Sequence, residues 1–241
     1  MDAAPATHDA PSKPPRPRWL RRRVLAGLAA AGLAGAVFVA AVLVAAATTP
    51  AFYRARLAAG ETAAAEQAAR RLITKAAGLQ AAASRIGPWE AAITEQELNA
   101  WLALDLPRNH AALLPAGVAA PRVELADRVV RLGARVGAGP LSAVVSCGLE
   151  IRLREVNQVE CVVADASLGA LPLPRGPILH ALAARLTPFG LLAEVRRGDG
   201  RSTLVLTLPG SLGQRAKRSL LSSLAVTPGE LLMAGETKEA Q

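Results

Sequence analysis

Acid–base, metal and nucleophilic chemistry need carboxylates, imidazoles or thiols at workable spacing, and this 241-residue chain offers few. Glu95, Glu97 and Asp105 form one acidic group, suggestive of paired carboxylates. Glu95 and Glu97 are two residues apart, however, and on a helix such side chains do not face each other. Both follow Thr94 in the run Thr94-Glu95-Gln96-Glu97, a capping box in which the Thr94 hydroxyl accepts from the Glu97 N–H and the Glu97 carboxylate reaches back to the Thr94 N–H. Capping and compensation of the helix dipole are therefore the expected work of these carboxylates.

The three histidines, His8, His110 and His180, are scattered, too few for a histidine-rich metal centre. The two cysteines, Cys147 and Cys161, have no histidine near them in sequence and exclude a four-cysteine zinc site or a disulfide-rich scaffold. The chain holds no glycine-rich phosphate cradle, H-E-x-x-H, G-x-S-x-G or acidic calcium loop. No residue is assigned a catalytic, cofactor-binding or metal-binding role. A hydrolase site assembled from distant segments, with His110 or His180 meeting carboxylates, is the remaining enzymatic alternative.

The elements that would position any site are set by composition and periodicity. With 51% hydrophobic and 20% charged residues the chain is too apolar for disorder and too charged for a multi-span membrane protein. Val24 to Ala47 is a run of 24 residues without a charge, about 36 Å as a helix, enough to cross a hydrocarbon core of about 30 Å. Six Lys and Arg against Asp2 and Asp9 precede it, so the positive-inside rule keeps residues 1–23 in the cytoplasm and exports the chain after Thr48. Trp19 then sits at the headgroups. A cleaved signal peptide is the rival reading, with Ala45-Ala46-Ala47 imitating a cleavage site, but its apolar region is longer than the usual 7 to 15 residues.

The sequence pI near 10.9 invites a nucleic-acid reading. Residues 51–241 hold 22 Lys and Arg against 17 Asp and Glu, with interspersed signs, and aromatics are only 3% of the chain. No basic helix with interleaved aromatics results, so nucleic acid is not an expected partner. The basic tail reads as a topology signal that also favours anionic headgroups.

Within residues 48–92 a helical connector is expected. Ala65, Ala68, Leu72, Ala76, Leu79, Ala83 and Ile86 recur at helical spacing, with Glu66 and Arg70 at i and i+4 on the other face. This stripe would lie over its own domain, or alternatively pair with another copy. Gly87-Pro88 breaks it. The Thr94-capped helix should run from Glu95 to before Pro107, burying Leu98, Trp101 and Leu102. From Pro121 the period changes to two. Arg128–Val136, Ala143–Leu153 and Val159–Leu168 alternate as half-buried antiparallel strands. With Arg154–Gln158 as a loop, Cys161 falls opposite residues 151–154, at least four residues from Cys147 and about 13 Å away at 3.3 Å per residue. Two buried free thiols are expected, since a disulfide needs Cα atoms within about 7 Å.

Leu171-Pro172-Leu173-Pro174 should leave the ladder. A helix is expected next, over 176–186, then a hairpin, Leu192–Arg196 and Ser202–Leu208, around Gly198-Asp199-Gly200. A last amphipathic helix is expected over Ser211–Leu224, and residues 228–241 as a loose tail. The fold class is α+β: one antiparallel sheet of about five or six strands in residues 93–227, covered by helices.

A single N-terminal span followed by Ile93-Thr94-Glu95-Gln96-Glu97-Leu98-Asn99-Ala100-Trp101-Leu102, alternating strands from Pro121, and Leu168-Gly169-Ala170-Leu171-Pro172-Leu173-Pro174 with a helix behind resembles the YpmS-type membrane-anchored bacterial proteins. The resemblance implies an exported α+β domain with no assigned enzymatic residues. The expected function is non-enzymatic binding or scaffolding in the cell envelope, with the bilayer as partner through Val24–Ala47 and an apolar ligand between sheet and helices. An assembly partner in a membrane complex is the alternative.

Overall fold

A computed structural model describes residues 34–58, 62–139, 142–186, 191–198, 201–209 and 217–240. The chain divides into two compact units, residues 1–43 and 44–241.

In the first unit the described residues belong to helix α1, Ala34–Ala47, which continues into the second. Val37, Phe38, Val39 and Leu43 are all more than half exposed on it. Residues 24–33, the first part of the expected span, lie outside the described residues. Among those described, no single helix is long and apolar enough to cross a membrane; α1 and α2, Ala51–Ala58, pass that test only as a bent pair. Pro50 separates the two helices. Helix α2 belongs to the folded unit: Tyr53 is fully buried and its hydroxyl donates to the Ala120 carbonyl at 2.7 Å.

The second unit is α+β, with two antiparallel sheets where one was expected. After α2 comes α3, Ala63–Ala83, whose start is capped by the Thr62 hydroxyl accepting from the Ala65 N–H. Strand β1, Gly87–Thr94, leads into α4, Glu95–Ala100, a π-helical turn at Trp101–Asp105 and α5, Leu106–Asn109. The helical path thus runs through Pro107 rather than stopping before it, because proline tolerates the first turn of the next helix, where its missing N–H costs nothing. A short 3₁₀ turn, Ala111–Leu113, precedes β2, Val118–Ala126, and β3, Val129–Val136. Next come β4, Ala143–Glu155, β5, Gln158–Leu168, the two-residue β6, Leu171–Pro172, and α6, Arg175–Leu186. Strands β7, Leu192–Gly198, β8, Arg201–Thr207, β9, Lys217–Thr227, and β10, Glu230–Glu239, complete the chain.

The large sheet has the order β2-β3-β4-β5-β8-β7, with β6 on β5, and the small sheet β1-β10-β9. The alternating runs expected as strands are strands, and Cys161 stands opposite Ile151. Cys147 and Cys161 are unpaired, and burial pushes both thiols up to about 11. The inner face of the large sheet carries Leu149, Val159, Cys161, Val163 and Leu204. Leu179 of α6 and Leu221 of β9 pack into that core.

Two expectations at the carboxyl end are corrected. Residues 217–224 are strand, not helix; residues 211–216 of the expected helix lie outside the described residues. The register shifts between Ala234 and Gly235, so that Ala234 faces Ser223 and Gly235 faces Leu221, with Ser222 as the extra residue. A bulge of this kind changes the side-chain period. It puts Leu221 and Leu224, three apart, both among the packed core residues, which imitates helical spacing. Residues 230–239 of the expected loose tail are likewise strand: β10 is the central strand of the small sheet. Strand β1 also falls inside the stretch expected as helical connector, where Pro88 and two alanines hide the alternation of Trp89, Ala91 and Ile93.

Candidate functional site

The carboxylates of the acidic group bind neighbouring segments of the fold. The capping box is formed as expected: Thr94 Oγ1 accepts from the Glu97 N–H at 3.2 Å, and Glu97 Oε2 accepts from the Thr94 N–H at 3.0 Å. The same motif also saturates the free edge of β2. Asn99 Oδ1 accepts from the Val123 N–H at 2.9 Å while Asn99 Nδ2 donates to the Val123 carbonyl at 2.7 Å. Glu95 Oε2 accepts from the Leu125 N–H, and the Gly229 N–H donates to the Leu125 carbonyl. An unpaired strand edge would invite pairing with another chain; here side chains of α4 stand in for the missing strand. Glu95 also takes the Arg56 guanidinium at 2.7 Å, and Arg56 reaches Glu124, which pairs with Arg131.

Glu97 is buried and accepts from Lys75 Nζ at 2.9 Å; the same ammonium donates to the Ala92 carbonyl. Burial pushes the Glu97 carboxyl up, but the bonds from Thr94 and Lys75 outweigh it and hold it below the ordinary value of 4.5. A lowered folded-state pKa means the unfolded chain binds more protons as the carboxyl titrates. The contribution of Glu97 is therefore complete above its unfolded value and lost as pH falls through the folded one. Glu97→Gln is expected to flatten the acid limb of the stability–pH curve below about pH 4.5, read by urea unfolding at a series of pH values.

Among the described residues the imidazoles and thiols are not brought together. His110 lies against the Trp101 ring, centroids 5.7 Å apart, with Nε2 3.4 Å from Asp105 Oδ2. Asp105 also accepts from Asn109 Nδ2. His180 is exposed on α6, and His8 lies outside the described residues. Among the described residues no group of three or more His, Cys, Asp or Glu could hold a metal ion.

One concavity is formed by residues whose chemistry did not point to it. Helix α3 packs beside β1 of the small sheet and is tied down on either side of a gap. At one end Lys75 binds Ala92 and Glu97. At the other, the buried Thr237 hydroxyl donates to the Ala83 carbonyl at 2.8 Å and Lys217 Nζ donates to the Ser84 carbonyl at 2.9 Å. Between these ties lies a groove of about 630 Å³. From α3 it is lined by Gly78, Leu79 and Ala82, and from the sheet by Ala92, Leu232 and Ala234, with Lys75, Glu90 and Ser223 as its polar groups. Cross-strand register explains the floor: Ala92 faces Leu232 and Glu90 faces Ala234 on one side of β1 and β10. The space exists because the residues at the gap are small. A Cβ at Gly78 would meet no atom within 4 Å.

The volume falls within the range of about 300 to 1,000 Å³ usual for small-molecule sites, and the lining is apolar with few polar groups, as such sites are. Chemically the groove suits an apolar body with a polar end. Compared with protein-family models, curated proteins and solved structures, the chain matches none.

Proposed function

We propose that this chain is a membrane-tethered binding protein that holds a small apolar ligand in the groove beneath α3, with residues 1–23 in the cytoplasm and the folded unit outside it. The observation that carries the ligand is the open, small-residue groove between two tied ends of α3. What supports the tether is the uncharged run of 24 residues, whose described part is a helix with its large apolar side chains turned to the surroundings.

The tether is tested by alternative reporters fused after Gln241 in a bacterial host. Alkaline phosphatase is expected to be active and a green fluorescent reporter dark, with the chain resisting carbonate extraction from membranes. A bright cytosolic reporter, or release by carbonate, contradicts it.

Gly78 tests the groove. Its replacement by alanine is expected to raise stability by about 0.5 to 1 kcal/mol, because glycine in a helix interior is the poorer helix former and the added methyl meets nothing. Gly78→Leu adds bulk into the groove at no cost to the helix, so the fold should persist while ligand capacity falls. Thermal unfolding read beside the amount of co-extracted lipid checks both.

A further inference from the structure

Along strands β2–β5 the two ends of the large sheet differ in charge; further along the sheet, the β7–β8 hairpin turns at the same end as the uncharged segments and carries Arg197 and Arg201 in sequence. At one end the turns carry Asp127 and Arg128, then Arg154 and Glu155, and they are tied to β9: the Arg128 N–H donates to the Val226 carbonyl, and the Asn157 side chain bonds Leu221 and Ser219. At the other end three segments converge, since Val118 faces Val136, Val136 faces Ala143 and Val145 faces Leu168. The described residues of these segments are 111–121, 136–139, 142–149 and 166–174, and none is an Asp, Glu, Lys or Arg. Leu113 there is 44% exposed, and Ala138 and Pro172 are also exposed.

The last residues of the apolar run meet this same end. The Ala170 N–H donates to the Ala45 carbonyl at 2.8 Å, and the Gly169 N–H to the Val144 carbonyl at 2.7 Å. Gly169 has φ +59, and a Cβ on it would fall 2.3 Å from the Ala46 carbonyl oxygen, so only glycine admits this approach. Ala45 and Ala46 are thus held against the turn after β5.

We infer that this uncharged rim, formed by the Leu113 turn, residues 137–139 after β3 and the turn after β5, is a membrane-contacting surface that sits in the lipid headgroup layer beside the point where the chain leaves the bilayer. The inference rests on the tether proposed above. A chain fixed to the bilayer at Ala45 and Ala46 brings the segments packed on them to the same depth. Uncharged small residues with an exposed leucine enter the interface at low cost, whereas charged side chains placed there would have to snorkel. Arg135 and Arg175 border the uncharged segments and are exposed, so their guanidinium groups can reach lipid phosphates.

The test uses the full chain in vesicles of phosphatidylethanolamine and phosphatidylglycerol. Leu113→Cys and Val156→Cys each receive a nitroxide label; both native positions are exposed, at opposite ends of the sheet, and because Cys161 is buried but Cys147 only half-buried, the same labelling of the wild type is subtracted as background. The expected result is that the label at 113 is relaxed by oxygen and loses several-fold in accessibility to a water-soluble nickel chelate, while the label at 156 stays open to the chelate. Chain that floats with the vesicles while both labels meet the chelate equally overturns the rim and leaves the tether standing. Chain that does not float removes the tether first, and the rim with it.

Discussion

Gly235→Ala is expected to destabilise the folded unit by about 3 kcal/mol, at the upper end of overpacking costs because the obstruction is partly backbone. A Cβ at this position would fall 2.2 Å from the Leu220 carbonyl oxygen and 2.3 Å from the Trp89 ring. Neither can yield cheaply. Leu220 is in β9, paired to β10 on both sides of the bulge, and Trp89 packs against the core shared by the two sheets. The Trp89 indole N–H is buried without a partner among the described residues, so packing alone holds the ring, and the Leu220 backbone is the obstruction that cannot move aside. The control is Gly78→Ala, the same change in chemistry with the opposite expected sign. Denaturant midpoints of the two variants, measured on the full chain in detergent, check the pair.

Asn99→Ala is expected to cost about 3 kcal/mol, because it leaves the N–H and the carbonyl of Val123 unsatisfied at a buried site, each worth about 1 to 3 kcal/mol. Asn99 and Val123 are both buried, and the side chain supplies one acceptor and one donor to one residue of an edge strand. Asn99→Asp should not rescue it: a carboxylate keeps the acceptor for the N–H but turns a second oxygen on the Val123 carbonyl. Beyond the loss in midpoint, amide exchange at Val123 should accelerate strongly in Asn99→Ala, which removes its acceptor, and less in Asn99→Asp, which keeps it. A loss near that of an ordinary surface substitution, about 0.5 kcal/mol, would contradict the edge-clamp role.

The run Ile93–Leu102 shows what was legible in the sequence and what was not. Its capping box is set by residue types at fixed spacing, a local rule, and the structure forms it. That Glu95 and Asn99 would seal the edge of β2 depends on contacts 24 and 30 residues away, for which no local signal exists. Strands β3, β4 and β5 were legible because half-buried strands alternate, and β7 and β8 from the turn signal between them; the bounds of β2 were not, and Leu171–Pro172, expected to leave the ladder, pairs with β5 as β6. Strands β1, β9 and β10 were hidden for separable reasons. In β1 a proline and two alanines dilute the pattern, in β9 the bulge at Ser222 replaces a step of two by a step of three, and in β10 the buried Thr237 is polar. The groove was illegible because a space is marked by what is missing: Gly78, Ala82, Ala92 and Ala234 look like helix and strand filler until α3 is seen to be tied at Lys75 and Ala83. Its trace in sequence is a glycine in the middle of an alanine-rich helix, which costs helix stability without serving a turn.

The most direct measurement is native mass spectrometry of the full chain released from a mild detergent, comparing wild type with Gly78→Leu. Wild type is expected to retain a bound apolar molecule that dissociates under collisional activation, and the variant to fly folded and empty. Wild type that is empty under the same conditions, or a variant that carries the molecule at equal occupancy, would contradict a ligand site beneath α3.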